Sequence, residues 1–202
     1  MLGGELSEHH STGLNYWNSS ARSYQETGDA EWRESGLKCA DTMVRIADPV
    51  TGLIPENGPA VRRRPDDPYD ASNYVKIDSL VGLPILWWAY ENTKDKRYLD
   101  AANRHVFAIM KVLIEPDGAA LQMIWQDPVT GRSLGIGTHQ GYGGSTRWAR
   151  GLAWVLDGMP DAYRVAKDEK YRAQFERSAR WLHDNLPENL ISWYDFDDQA
   201  VF

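Results

Sequence analysis

Two hydrophobic patterns alternate along the chain. Residues 80–90, LVGLPILWWAY, are apolar at nearly every position, which predicts a helix enclosed on all sides. Tyr98, Ala101, Ala102, His105, Val106 and Ile109 instead form a stripe at intervals of three and four on an otherwise charged segment. That spacing predicts a helix with one buried face and an outer position.

The patterns come in pairs, and the pairs repeat. SYQETGDAEWRESGLKCA begins at Ser23, AYENTKDKRYLDAANRHV at Ala89 and AYRVAKDEKYRAQFERSA at Ala162. Each copy has tyrosine at its second position (Tyr24, Tyr90, Tyr163), aspartate at its seventh (Asp29, Asp95, Asp168) and an aromatic at its tenth (Trp32, Tyr98, Tyr171). A helix running into the tyrosine, a short polar turn and a second helix opened by aspartate make an αα-hairpin, because the carboxylate accepts the free N–H groups of a first turn. Copies about 70 residues apart point to a stacked or circular helical array. The expected fold is therefore all-α, an α/α barrel of alternating inner and outer helices. Pro84, inside an inner-helix pattern, is expected to remove one intrahelical bond and kink that helix. The connecting stretches PVTGLIPENGP, EPDG, DPVTGRSLGIG and LPENL read as loops, being rich in Pro, Gly, Asp and Asn.

In a closed ring the inner helices start at one end and point their free N–H groups into one cavity. Three segments lie just upstream of inner helices: EHHSTG at 8–13, VKID at 75–78, and THQGYGGSTRWARGLAW at 138–154. Asp78 is the carboxylate that enters an apolar helix beside Ile77, Leu80 and Val81. Two roles stay open for it: a general acid held among apolar neighbours, and a plain N-cap. Arg150 and Trp154 are four residues apart and share a helix face, with Trp148 just before them. A guanidinium beside two indoles can cradle a sugar carboxylate, although tryptophans in an inner helix also serve as core. Gln140 and His139 sit in a glycine-bearing loop, where they can bond hydroxyls or hold the loop. Glu8, His9 and His10 are adjacent but lack the spacing of a metal motif, so no metal is expected. No phosphate loop, GxSxG or dinucleotide fingerprint occurs, and no cofactor is expected.

Composition narrows the partners. With 42% hydrophobic and 25% charged side chains the chain can build a core. Its net charge of -7 carries no basic stripe except Arg62, Arg63 and Arg64, which are offset by Asp66, Asp67 and Asp70. Nucleic acid is not an expected partner. No apolar run approaches a membrane span, and the opening MLGGELSEHH lacks the regions of a signal peptide. The one cysteine, Cys39, excludes a disulfide framework and suits a helix packing position beside Ser35 and Met43. Nine tryptophans and ten tyrosines against four phenylalanines favour polar-edged aromatics, which suit stacking on sugar faces as well as cores.

VKIDSLVGLPILWWAY, GRSLGIGTHQGYGGSTRWARGLAW and the ending LPENLISWYDFDD together resemble glycoside hydrolase family 88, the unsaturated glucuronyl hydrolases. The resemblance runs along almost the whole chain. It implies an α/α six-hairpin barrel, of which 1–202 would form one partial domain of about three hairpins. It also implies a substrate of 4,5-unsaturated uronic acid oligosaccharides left by polysaccharide lyases, and a bacterial, cytoplasmic setting. The implied chemistry protonates C4 of the C4=C5 enol ether and adds water at C5, so that the resulting hemiketal opens and releases the neighbouring sugar. Asp78 falls at the family's general acid/base position, and Gln140, Trp148, Arg150 and Trp154 at its substrate contacts. Ser11, also placed in the substrate site, follows His9 and His10 where the family has a second acidic residue, and Gln122 stands where it usually has a histidine. Three hairpins would leave an open half-ring with apolar inner helices exposed, which favours association. Two readings compete with an active hydrolase: a non-catalytic sugar-binding relative, and a structural helical-repeat scaffold in which Asp78, Arg150 and the tryptophans do not cluster.

Overall fold

The computed structural model describes residues 6–58, 74–127, 129–198 and 200. The Arg62–Arg64 run and its neighbouring aspartates Asp66, Asp67 and Asp70 lie outside the described residues.

The described residues fold as three consecutive αα-hairpins. The first inner helix covers residues 11–27 in three parts: α1 (Ser11–Tyr16), a π-helical turn (Trp17–Ala21) and α2 (Arg22–Thr27). Its outer partner is α3 (Ala30–Ile46). The second inner helix opens with a 3₁₀ turn (Ile77–Gly82), continues as α4 (Pro84–Thr93) and returns as α5 (Lys96–Val112). The third pair is α6 (Ala149–Ala166) and α7 (Glu169–Asn185).

All three turns use the chemistry of the repeat. The inner helix ends on a left-handed residue, Gly28, Lys94 or Lys167, whose N–H bonds back to the carbonyl of Tyr24, Tyr90 or Tyr163. Asp29, Asp95 and Asp168 then cap the outer helices, accepting the N–H of Glu31, Arg97 and Lys170. A left-handed cap closed by the 5→1 bond, followed directly by an aspartate cap, reverses the chain within two residues.

The tenth-position aromatics join one hairpin to the next. Tyr98 on α5 donates its hydroxyl to Asp41 on α3 over 2.9 Å, and Tyr171 on α7 donates to Asn103 on α5 over 2.7 Å. Trp32 holds this position in the first hairpin, where it is 37% exposed. Trp87, Ile85, Leu86 and Leu83 of the second hairpin are buried, and they share one contiguous apolar cluster with Met43, Cys39, Val155 and Met159 of the other two. Cys39 is fully buried at a packing position, its thiol aimed at the Thr12 carbonyl.

Pro84 does not kink a helix. It stands at the first turn of α4, directly after the 3₁₀ turn, where its missing N–H has no intrahelical partner to lose. The glycines beside it have a different task. A Cβ on Gly13 would lie 2.3 Å from the Gly82 carbonyl oxygen, and one on Gly82 would lie 2.6 Å from that of His10. The first two inner helices therefore touch backbone to backbone at their starts.

The loops also build a small sheet that the helical patterns do not announce. Strands β1 (Tyr74–Lys76), β2 (Met123–Gln126) and β3 (Ser133–Gly137) pair antiparallel in that order. Residues 8–10 and 56–58 extend it: His10 N–H donates to the Glu56 carbonyl, and Glu56 N–H donates to that of Tyr74. The sheet thus lies beside the starts of the inner helices and brings three distant loops to one place.

Candidate active site

Asp78 is in the first turn of the 3₁₀ segment, whose cap residue is Lys76. It is not an N-cap, and its Oδ2 is buried without a hydrogen-bond partner. The 3₁₀ segment packs between α1 and α6, with Ile77 only 3.2 Å from where a Cβ on Gly151 would lie. Asp78 and Arg150 therefore share one end of the helical array.

The third segment forms a hydrogen-bonded unit around Gln122. Its Oε1 accepts the N–H groups of His139 and Gln140 and the hydroxyl of Thr138, while its Nε2 donates to Gln140 Oε1 over 3.1 Å. Gln140 Oε1 also accepts from Arg150 Nη2 at 2.8 Å. The guanidinium lies over the Trp148 ring, 4.4 Å from its centroid. Trp148 is 1% exposed, so it is the floor beneath Arg150 and not an open stacking platform. Trp154 is half-buried, with its indole N–H enclosed and unpartnered. At the far side of the loop, Asp195 Oδ2 accepts the Tyr142 N–H and the Thr146 hydroxyl and fixes its shape.

The first segment gathers around a residue that motif reading passed over. Glu56 lies in the PENGP loop, and the backbone pairing described above sets its carboxylate against both histidines. His9 Nε2 is 3.3 Å from Glu56 Oε1, and His10 Nδ1 is 3.2 Å from Oε2 but off the line of a hydrogen bond. Lys76 Nζ donates to Oε1 over 3.0 Å. Burial by itself would raise the Glu56 pKa, but the close His10 and His9 imidazoles and the Lys76 charge outweigh it, holding the carboxyl far below its usual range. Glu8, the expected neighbour of the histidines, instead pairs with Arg45 over 3.0 Å. On the other side, His9 Nδ1 meets Ser11 Oγ at 2.6 Å.

The segments are bridged by aromatic contacts. Tyr74 meets the His139 ring edge-on at 5.4 Å, and Lys76 Nζ lies 5.6 Å from the Tyr74 centroid. Burial and the nearby Lys76 charge lower the His139 pKa. Beneath, fully buried His105 accepts the Ile54 N–H at Nδ1 and meets Ser79 Oγ at 2.8 Å through Nε2, tying the Glu56 loop to the Asp78 turn. Glu56, Lys76, Tyr74 and His105 have no motif spacing. The signal for Glu56 was an acidic side chain in a loop leading toward an inner helix.

His9, His10 and Glu56 present donor atoms within 4.8 Å of one another. Ser11 N–H donates to His9 Nδ1 over 3.1 Å, which leaves the ring proton on Nε2, facing Glu56. With Lys76 supplying a positive charge at the same carboxylate, the arrangement is one of fixed hydrogen bonds rather than a vacant cation cage.

Helical hairpins of an α/α toroid, with carboxylates, a guanidinium and indoles collected where the inner helices start, define the class. No protein-family model matches the chain. Among curated proteins it is similar to the unsaturated chondroitin disaccharide hydrolase of Streptococcus pneumoniae, 31% identical over 93% of this chain and 46% of the relative. It is also similar to the unsaturated glucuronyl hydrolase of a Bacillus species, 29% identical over 94% of this chain and 49% of the relative. The crystal structure of a Bacillus unsaturated glucuronyl hydrolase, described as responsible for glycosaminoglycan degradation, superposes with a TM-score of 0.86 at 27% identity, covering 96% of this chain and 51% of that one. A glucuronyl hydrolase specific for heparin gives 0.85 at 26% identity, over 96% of this chain and 51% of that one. The chain is a homologue of the unsaturated glucuronyl hydrolases of glycoside hydrolase family 88. It spans about half the length of the relatives it matches.

Proposed function

We propose that the chain is part of a glycoside hydrolase that acts on 4,5-unsaturated uronic acid oligosaccharides, the products of polysaccharide lyases, with residues 1–202 forming one partial barrel domain. The observation that carries this reading is the placement of Asp78, with its buried and unpartnered carboxylate oxygen, at the same end of the helices as the Arg150–Gln140 pair. An unsaturated uronide offers a planar carboxylate conjugated to an enol ether. Arg150 supplies paired planar donors for that carboxylate, Gln140 Nε2 remains for a hydroxyl, and the half-buried Trp154 offers ring surface. Asp78 delivers a proton to C4 as water adds at C5, after which the hemiketal opens and the neighbouring sugar leaves. Unlike ordinary glycoside hydrolysis, this needs no second carboxylate at the anomeric carbon. Its working place is the bacterial cytoplasm, and among the described residues no helix is long and apolar enough to cross a membrane.

Asp78→Asn is the test. It keeps shape but cannot deliver a proton, so turnover is expected to fall at least ~100-fold, the lower end of a general acid's contribution, with substrate affinity changed far less. Loss of the enol's ultraviolet absorbance reports turnover. Near-normal turnover in the variant removes Asp78 from the mechanism. Ser11, where family members have an acid, favours a second reading, a sugar-binding relative without turnover; binding of the disaccharide by a chain that never consumes it would select that reading.

A further inference from the structure

Ser11 is held in a way that a serine filling space does not require. Its backbone N–H donates to His9 Nδ1 over 3.1 Å, so that nitrogen carries a lone pair, and its own Oγ lies 2.6 Å from the same atom. The lone pair on Nδ1 makes Ser11 the donor in that contact. The ring proton is then on Nε2, directed at Glu56 Oε1 3.3 Å away. Glu56 is itself fixed, by the Lys76 ammonium at 3.0 Å and by backbone bonds on both sides. The ordered chain is carboxylate, imidazole, hydroxyl, with each proton in the position that lets the hydroxyl proton move to the ring and the carboxylate stabilise the resulting cation. The ring nitrogens are used in the opposite sense from the usual serine triad, which leaves the proton logic unchanged.

We propose that Glu56, His9 and Ser11 form a proton relay that makes the Ser11 oxygen a base-activated hydroxyl in this site. Toward an electrophile the step balances as follows: Oγ forms the new bond, its proton passes to His9 Nδ1, the leaving group departs with its electron pair, and Glu56 neutralises the imidazolium. Within the proposed hydration, and resting on that reading, the same relay takes the proton from the water that adds at C5. Ser11 Oγ accepts it as it passes its own to His9, while Asp78 supplies the proton at C4. Ser11 is then the group acting on water, and His9 and Glu56 are positioning residues.

The experiment separates this from the proposed function by using a probe that needs no substrate. The chain is treated with diisopropyl fluorophosphate and the modified serines are mapped by peptide mass spectrometry, with exposed Ser133 as the internal reference. Ser11 is expected to react at least ~10-fold faster than Ser133, a modest share of what a positioned base contributes. The rate should fall in acid, because a protonated imidazole has no lone pair to take the hydroxyl proton. The charged groups around that ring are His10, stacked at 4.5 Å, Glu56 and Lys76, with Asp78 on the adjoining turn. His9→Gln and Glu56→Gln should each remove the excess reactivity, with unchanged circular dichroism and melting as the check on folding. If a variant fails to fold, the wild-type rate ratio and its pH dependence decide alone. Asp78→Asn should leave labelling intact while abolishing turnover. Labelling of Ser11 no faster than Ser133, or independent of pH, overturns the relay even if the disaccharide is consumed. Fast, pH-dependent labelling in a chain that binds the disaccharide without consuming it supports the relay and selects the sugar-binding reading over turnover.

Discussion

Arg150 Nη2 and Gln140 Oε1, 2.8 Å apart, join the first turn of α6 to the glycine-bearing loop, with Trp148 as the guanidinium's floor. Lysine keeps the charge but has neither the planar fork nor the flat face that stacks on an indole. Arg150→Lys is therefore expected to raise KM for an unsaturated disaccharide about 10-fold, equivalent to roughly 1.4 kcal/mol, with kcat changed less. A KM within twofold of wild type would show that this guanidinium does not meet the substrate.

Gln122 stands where the resemblance implied a histidine, and its Oε1 accepts the N–H groups of both His139 and Gln140. Alanine there removes the acceptor of the His139 N–H and leaves the Gln140 N–H to Thr138 Oγ alone, at about 0.5–1.5 kcal/mol for each bond lost. Gln122→Ala should speed hydrogen exchange at His139 and Gln140 by 10-fold or more while exchange in α3 is unaffected. Unchanged exchange at those two amides would mean that the loop keeps its shape without Gln122.

His105 gives the fold an acid sensitivity. Burial, and then the nearby His10 charge, pushes its pKa from 6.5 down to about 3. The unfolded state therefore binds a proton first as pH falls. The stability that neutral His105 contributes is whole above about pH 6.5 and is lost progressively between there and pH 3. His139 is shifted in the same direction and adds to the loss, whereas Glu56, lowered from 4.5, acts only below about that value. Urea melts from pH 7 to 5 should show stability falling by about 1 kcal/mol per pH unit once the pH is well below 6.5, and a flatter slope in His105→Gln. Equal slopes in both proteins would exclude His105 as the cause.

The hydroxyls of Tyr98 and Tyr171 connect successive outer helices. Tyr98→Phe and Tyr171→Phe should each cost about 1 kcal/mol, the net worth of one such bond. Trp32→Phe, at the same repeat position but 37% exposed, should cost less than either. Denaturant midpoints at a constant m-value measure all three, and a Trp32 effect as large as the tyrosines' would show that repeat position rather than neighbouring contact sets the cost.

Local chemistry was legible in the sequence by itself. Tyr24, Tyr90 and Tyr163 with Asp29, Asp95 and Asp168 marked three hairpin turns because capping depends on residues a few positions apart. The apolar run at 80–90 marked a buried inner helix, and Asp78, Gln140 and Arg150 were visible as polar side chains where such helices begin. Pro84 was misread because a 3₁₀ turn followed by an α-helix has the same apolar pattern as one continuous helix, while its hydrogen bonds differ. Trp148 was legible as an aromatic beside Arg150, but only packing decided that its ring would be covered. Glu56 could not be found from spacing at all, since it is 47 residues from His9 and reaches it through backbone pairing between three loops. Patterns of period two to four determine which helices form and which face is buried. Which loop carboxylate meets which histidine is decided when hairpins pack, because that depends on long-range closure that no local spacing encodes.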